Sequence, residues 1–177
     1  MDLEPYFYTL LPELAETGSY AVIAGTYELK GFEKGPRSFL LDNGIQYELS
    51  LTNTGAAVVI SGTVEAQVTS ECDRCLEPAH LLLEGEAEGY VLFEEPSSET
   101  QAGIDEYIVA HSPEAIIDLA AVLYPAIILS VPPIVLCDDD CAGICPSCGA
   151  NLNEEACTCS DLHIDENHPF AALKDIL

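Results

Sequence analysis

Lysine and arginine are nearly missing from this chain: five in 177 residues against 31 Asp and Glu, a formal charge of -26. Between Arg37 and Lys174, Arg74 is the single Lys or Arg. Nucleic-acid affinity rests largely on neutralising phosphates with such side chains, so extended direct contact with bare RNA or DNA is disfavoured. The acids keep the chain soluble, and they also suit a basic partner, such as a ribosomal protein, met by electrostatic steering. Catalytic signatures are missing too. There is no phosphate loop, dinucleotide fingerprint or nucleophile elbow, and no His-x-Glu precedes a Pro-Cys-x-x-Cys as a zinc deaminase requires. The run Asp138-Asp139-Asp140 lacks the spaced ligands, central glycine and closing glutamate of a calcium loop and reads as a solvated acidic turn. His80, His111, His163 and His168 have no paired nucleophile at a recognised spacing.

A membrane or export signal is not expected either. Met1-Asp2-Leu3-Glu4-Pro5 has neither the basic start nor the apolar run of a secretory signal, so a reducing cytoplasm is the expected setting. Ala115 to Leu136 is long enough to span a bilayer, but Asp118, Pro125, Pro132 and Pro133 interrupt it and no Lys or Arg flanks it. It reads as a buried helix running into an extended segment.

What is present suffices for a core. Hydrophobic residues make up 49% of the chain, enough apolar surface to offset chain entropy. Ile45, Tyr47, Leu49 and Leu51 alternate with polar residues, a turn at Thr52 to Gly55 follows, and Val58, Ile60, Val64, Ala66 and Val68 continue the alternation. Leu83, Ala87, Val91 and Phe93 then oppose Glu84, Glu86 and Glu88, the pattern of antiparallel sheet with one wet face. Gly62, Gly85 and Gly89 within these strands are expected at bulges or bends that let the sheet curl. A further strand is expected around Ser19 to Leu29, a short one near Tyr107 to Val109, and a loop from Glu94 to Asp105. Ser112 with Pro113, or Asp118, is a candidate cap for the helix, and Pro125 should kink or shorten it. Phe170, Leu173, Ile176 and Leu177 suggest a terminal helical turn. The expected fold is α+β: residues 1–136 form an antiparallel sheet domain with one main helix, and residues 137–177 a cysteine-rich zinc-binding segment packed on it as one structural unit.

Eight cysteines carry the chemistry. In a reducing compartment clustered cysteines are metal ligands more often than disulfides. Cys145-Pro146-Ser147-Cys148-Gly149 has the make-up of a zinc knuckle: proline stiffens the turn, and glycine after the second ligand can take a positive φ that turns backbone amides toward the sulfurs. Cys157 and Cys159 project to one side of an extended segment and can close that shell. Cys72, Cys75, Cys137 and Cys141 remain for a second site, stapling a hairpin tip to the segment after the helix. Other divisions of the ligands stay open, as does His163 in place of one of the last cysteines. Four thiolates close a tetrahedral shell and leave no position for a reacting water, so one or two structural zinc ions are expected. A redox pair would normally open a helix, whereas Cys72 and Cys75 lie between strands.

The strings Cys72-Asp73-Arg74-Cys75-Leu76-Glu77-Pro78 and Cys141 to Asn153, with Cys157-Thr158-Cys159 and Pro169-Phe170-Ala171-Ala172-Leu173, resemble the bacterial YceD family, also called large ribosomal RNA subunit accumulation proteins. The resemblance covers the second half of the chain and the first cysteine pair. It implies a cytosolic role in accumulation or processing of large-subunit ribosomal RNA without a known enzymatic reaction. Some members lack most of the carboxy-terminal cysteines, which casts the zinc as a staple of the fold.

The leading expectation is therefore a non-enzymatic ribosome-assembly factor that engages the precursor large subunit through a basic ribosomal protein. A metal-dependent enzyme acting on rRNA, and a thiol redox or zinc-storage protein, are the alternatives.

Overall fold

The computed structural model describes residues 4–10, 12–92, 108–109, 116–157 and 159. Alternation in the sequence becomes strands with one face inward. β5 (Ile45–Asn53) buries Ile45, Tyr47, Leu49 and Leu51, β6 (Ala57–Glu71) buries Val58, Ile60, Val64, Ala66 and Val68, and β7 (Pro78–Leu92) buries Ala79, Leu83, Ala87 and Val91. β6 and β7 form one long hairpin, antiparallel from Ala57 opposite Leu92 to Glu71 opposite Pro78. One edge of β6 pairs with β7 and the other is shared, by β5 along its first half and by β4 (Arg37–Leu41) at Thr69 and Val68. β2 (Tyr20–Tyr27) then extends the sheet beyond β5, and β3 (Gly31–Lys34) extends it beyond β4. The seven-stranded sheet is not closed.

Two expectations need correction. The register runs through Gly62, Gly85 and Gly89 without a bulge. At two of these glycines the reason is close approach instead. A Cβ on Gly62 would strike the carbonyl oxygen of Glu48 on β5, and one on Gly85 would stand 2.6 Å from that of Ala126 in the helix. The sheet is also not wholly antiparallel. β8 (Ile108–Val109) runs parallel to β7, and the sequence between Leu92 and Ile108 has the dozen or more residues that such a crossover needs.

β1 (Phe7–Thr9) and β9 (Ile116–Asp118) form a separate antiparallel pair. β9 leads into α1 (Ala120–Ser130), which lies across the inner face of β7, β6 and β5 and buries Ala120, Val122, Leu123, Ala126 and Ile127. Of the candidate caps, Asp118 accepts the Ala120 amide at 3.0 Å and the Tyr6 amide at 2.8 Å from one carboxylate oxygen. Leu119 holds the cap position itself. Pro125 sits on the exposed side of the helix, which ends as Val131 turns extended ahead of Pro132. Among the described residues no helix is long and apolar enough to cross a membrane. Phe32 and Phe39 stack at 4.9 Å, with Tyr124 of α1 meeting Phe32 edge-on, so the β3–β4 hairpin joins the same core. Ser112, Pro113, His111, His163, His168, the Glu94 to Asp105 stretch and the Phe170 to Leu177 turn lie outside the described residues.

Candidate metal centres

Cys72 and Cys75 occupy the tip of the β6–β7 hairpin, and the backbone there is a knuckle. The Leu76 amide donates to the Cys72 carbonyl at 3.0 Å, the Cys72 amide to the Glu77 carbonyl at 2.9 Å, and the Arg74 amide to the Cys72 sulfur at 3.4 Å. The carboxy-terminal segment repeats this bonding. Gly149 donates to the Cys145 carbonyl at 2.8 Å, Cys145 to the Ala150 carbonyl at 2.8 Å, and Ser147 to the Cys145 sulfur at 3.4 Å. Sequence patterning exposes the second knuckle, where Gly149 marks the positive φ, but hides the first, where Leu76 takes that conformation at φ 66°.

The eight sulfurs gather in two sets. Cys72, Cys75, Cys137 and Cys141 lie within 4.8 Å of one another, as do Cys145, Cys148, Cys157 and Cys159. Individual sulfur separations are 3.8 Å for Cys72 to Cys141 and 3.5 Å for Cys75 to Cys137, then 3.5 Å for Cys148 to Cys157 and 3.3 Å for Cys145 to Cys157. These are too long for a disulfide bond of about 2.0 Å and all eight are free thiols. Sulfurs about 2.3 Å from a tetrahedral zinc stand about 3.8 Å apart, so both sets fit such an ion. Among the described residues these are the two groups that can hold a metal. No described histidine joins them. His80 lies on β7, with its ring nitrogen 2.9 Å from the Thr69 hydroxyl.

The hairpin set is buried except for Cys137. Its two halves are tied by the two residues between Cys72 and Cys75. The Asp73 carboxylate accepts the Val135 amide at 2.7 Å and the Arg37 guanidinium at 2.6 Å, while the Asp73 amide donates to the Val135 carbonyl at 2.8 Å. Arg74 reaches across to the Cys141 carbonyl at 2.8 Å, and its own carbonyl accepts the Ile144 amide at 3.1 Å. The carboxy-terminal set is more open, with Cys145 buried and Cys148 and Cys159 exposed. Asn153 joins the two modules: its carboxamide accepts the Ala142 amide at 2.7 Å and donates to the Cys141 sulfur at 3.3 Å. Spacing alone does not reveal Asp73, Arg74 and Asn153 as supports, because they act through backbone groups distant in sequence.

Electrostatics favours a cation in each set. Burial pushes the Cys72 thiol up, but amides of Cys75, Arg74 and Cys137 around its sulfur outweigh this and bring it down to about 6. Cys145 is likewise lowered to about 6 by the amides of Cys148 and Ser147. Sulfur neighbours do the opposite to the outer members: Cys137 is pushed up to about 12, first by Cys75 and Cys141, and Cys159 to about 12, first by Cys157 and Cys148. Each set thus pairs a thiol that gives up its proton readily, Cys72 or Cys145, with one whose proton the neighbouring sulfurs hold, Cys137 or Cys159. A divalent ion bound there would take the place of those protons. Asp138 to Asp140 form an exposed turn in which the Asp138 carboxylate accepts the Asp140 amide at 2.9 Å.

Comparison with known proteins places these residues in a family. The chain is 32% identical over 114 residues to an uncharacterized protein of Mycobacterium leprae, covering 61% of this chain and 49% of that protein. It is 32% identical over 119 residues to one of Mycobacterium tuberculosis strain H37Rv, covering 65% and 56%. The match thus spans about half the length of these curated relatives. No solved structure matches. Residues 60–177, which include both cysteine sets, match the family described as Large ribosomal RNA subunit accumulation protein YceD, and the chain belongs to that family.

Proposed function

We propose that this chain is a non-enzymatic factor for accumulation of large-subunit ribosomal RNA, acting in the cytoplasm and shaped by two structural zinc ions. The family match supports the ribosomal role. The observation that carries the structural role of the metal is the closure of each set: four sulfurs around one centre leave no coordination position for substrate or a reacting water. Residues 1–136 and 137–177 act as one unit in this reading, the zinc ion of the hairpin set stapling the hairpin tip to the segment that follows α1. Such a protein meets the precursor large subunit through a basic ribosomal protein, because a chain of charge -26 repels bare phosphates. Purified zinc-loaded protein is expected to co-sediment with precursor large subunits, and its deletion to lower large-subunit rRNA. Failure of both would overturn the proposal.

One observation favours a second reading, zinc storage: Cys148 and Cys159 are exposed, which suits metal exchange. Thiol titration with and without a chelator separates the two. A staple keeps all eight thiols unreactive until chelation, whereas a store gives up the carboxy-terminal ion to a modest competitor.

A further inference from the structure

The sheet face opposite α1 presents four cross-strand rows: Thr26, Gln46, Glu65 and Glu84; Ala24, Glu48, Thr63 and Glu86; Val22, Ser50, Ser61 and Glu88; and Tyr20, Thr52, Val59 and Tyr90. Its glutamates Glu48, Glu65, Glu84, Glu86 and Glu88 are all exposed. Tyr20 and Val22 are 72% and 60% exposed at one end, and Leu82 and Leu40 are 53% and 62% exposed at the other. Between these apolar ends stand Glu48, Glu65, Glu84, Glu86 and Glu88, with Glu65 directly opposite Glu84. Like charges facing each other across a ladder destabilise a sheet. Among the described residues the ion pair is that of Arg37 with Asp73, so Lys30, Lys34 and Arg74 pair with none of these glutamates; Lys34 bonds the Ile128 and Val131 carbonyls and Arg74 that of Cys141.

We infer that this face is the docking surface for a lysine- and arginine-rich extended segment of a partner protein. The inference rests on the ribosomal reading above for its biological setting, but its chemistry comes from the face. A basic segment supplies the missing counter-charge, and RNA phosphates carry the wrong sign. Glu84, Glu86 and Glu88 follow one another along β7 at about 6.7 Å, the repeat of alternate side chains in an extended chain. A segment laid along β7 therefore brings every second side chain over a glutamate, while Leu82, next to Glu84 on the same face of β7, receives a flanking hydrophobic residue.

The test uses the full zinc-loaded chain and a labelled twelve-residue peptide of alternating lysine and serine, followed by fluorescence anisotropy, with a single-stranded RNA twelve-mer in parallel. The combined change Glu84→Gln, Glu86→Gln and Glu88→Gln is expected to weaken peptide binding about tenfold, with the melting temperature unchanged or raised by relief of repulsion. Glu13→Gln, Glu16→Gln and Glu154→Gln together alter the net charge equally at exposed positions elsewhere and should leave affinity within about twofold. Equal losses in the two triples would reduce the effect to overall charge and overturn the inference. So would an unaffected peptide, or RNA bound through the β7 glutamates. Co-sedimentation with precursor large subunits keeps the two proposals apart. If the parent chain co-sediments and the β7 triple does so equally well, the docking face is wrong and the ribosomal role stands. If the parent chain does not co-sediment while peptide binding depends on β7, the ribosomal role is wrong and the docking face stands.

Discussion

Leu76 occupies at the hairpin tip the backbone position that Gly149 occupies in the carboxy-terminal knuckle, with φ of 66° against 75° and the same amide-to-carbonyl bond back to the first cysteine. A leucine held in this left-handed region costs about 1–2 kcal/mol, and a glycine there loses about 0.5–1 kcal/mol of extra chain entropy on folding. Leu76 is 62% exposed, so little packing offsets the strain. Leu76→Gly should therefore stabilise the metal-loaded protein by up to about 1 kcal/mol, whereas Leu76→Ile, branched at Cβ, should destabilise it. Urea denaturation of the three proteins decides this; a less stable glycine variant would contradict the strain argument.

Metal should load independently into two sets of unequal depth. We expect two zinc ions per chain by elemental analysis, one in Cys72→Ser and one in Cys159→Ser. Three of the four hairpin sulfurs are buried, and that set joins the sheet to the segment following α1. Losing its ion should lower the melting temperature more than losing the carboxy-terminal one. Equal shifts would mean that the hairpin tip holds its shape without metal.

Asn153 provides a finer test of the same reading. Its bond to the Cys141 sulfur disperses thiolate charge, and its bond to the Ala142 amide fixes the loop behind that ligand. Loss of a support of this type weakens metal binding by about 10–100-fold. Asn153→Leu should do so at the hairpin set, read by chelator competition, although Asn153 belongs in sequence to the loop between Cys148 and Cys157. Weakening confined to the carboxy-terminal set would refute the cross-module role.

The long hairpin was legible because β5, β6 and β7 each bury one face, and a period of two survives wherever one side stays wet. β1 and β9 were not, since three-residue strands are set by a partner more than one hundred positions away and leave no local period. The β3–β4 hairpin was equally quiet, its core contribution resting mainly on the Phe32 and Phe39 stack. Gly62 and Gly85 signalled something unusual in the strands, but sequence cannot separate a bulge from a close approach, and here the neighbouring backbone decided. At the cysteines, Pro146 and Gly149 announced one knuckle through turn chemistry. The other was masked because its left-handed residue is a leucine.

A last prediction concerns alkaline pH and the tyrosine cluster beneath β2. Tyr47 is buried on β5, its hydroxyl lies 3.0 Å from that of Tyr6, and Tyr6 also stacks on Tyr27 at 5.4 Å. Burial, then the bond to Tyr6, then the nearness of Tyr6 and Tyr8 hold the Tyr47 phenol far above its ordinary value of 10.0. The folded state thus keeps this proton where the unfolded chain loses it. Its stabilising effect is complete below about pH 10 and is lost as pH rises from there toward the folded value, at about 1.4 kcal/mol per pH unit for one proton. Tyr8 and Tyr27 are raised as well, first by burial, and add to the same slope. Tyr47→Phe should cost about 0.5–1.5 kcal/mol at pH 8 through the lost hydroxyl pair. It should also flatten the fall in stability between pH 10 and 11.5 by about one proton. Urea denaturation at half-unit steps measures both effects, and an unchanged slope in the variant would show that Tyr47 ionises as readily in the folded chain as in the unfolded one.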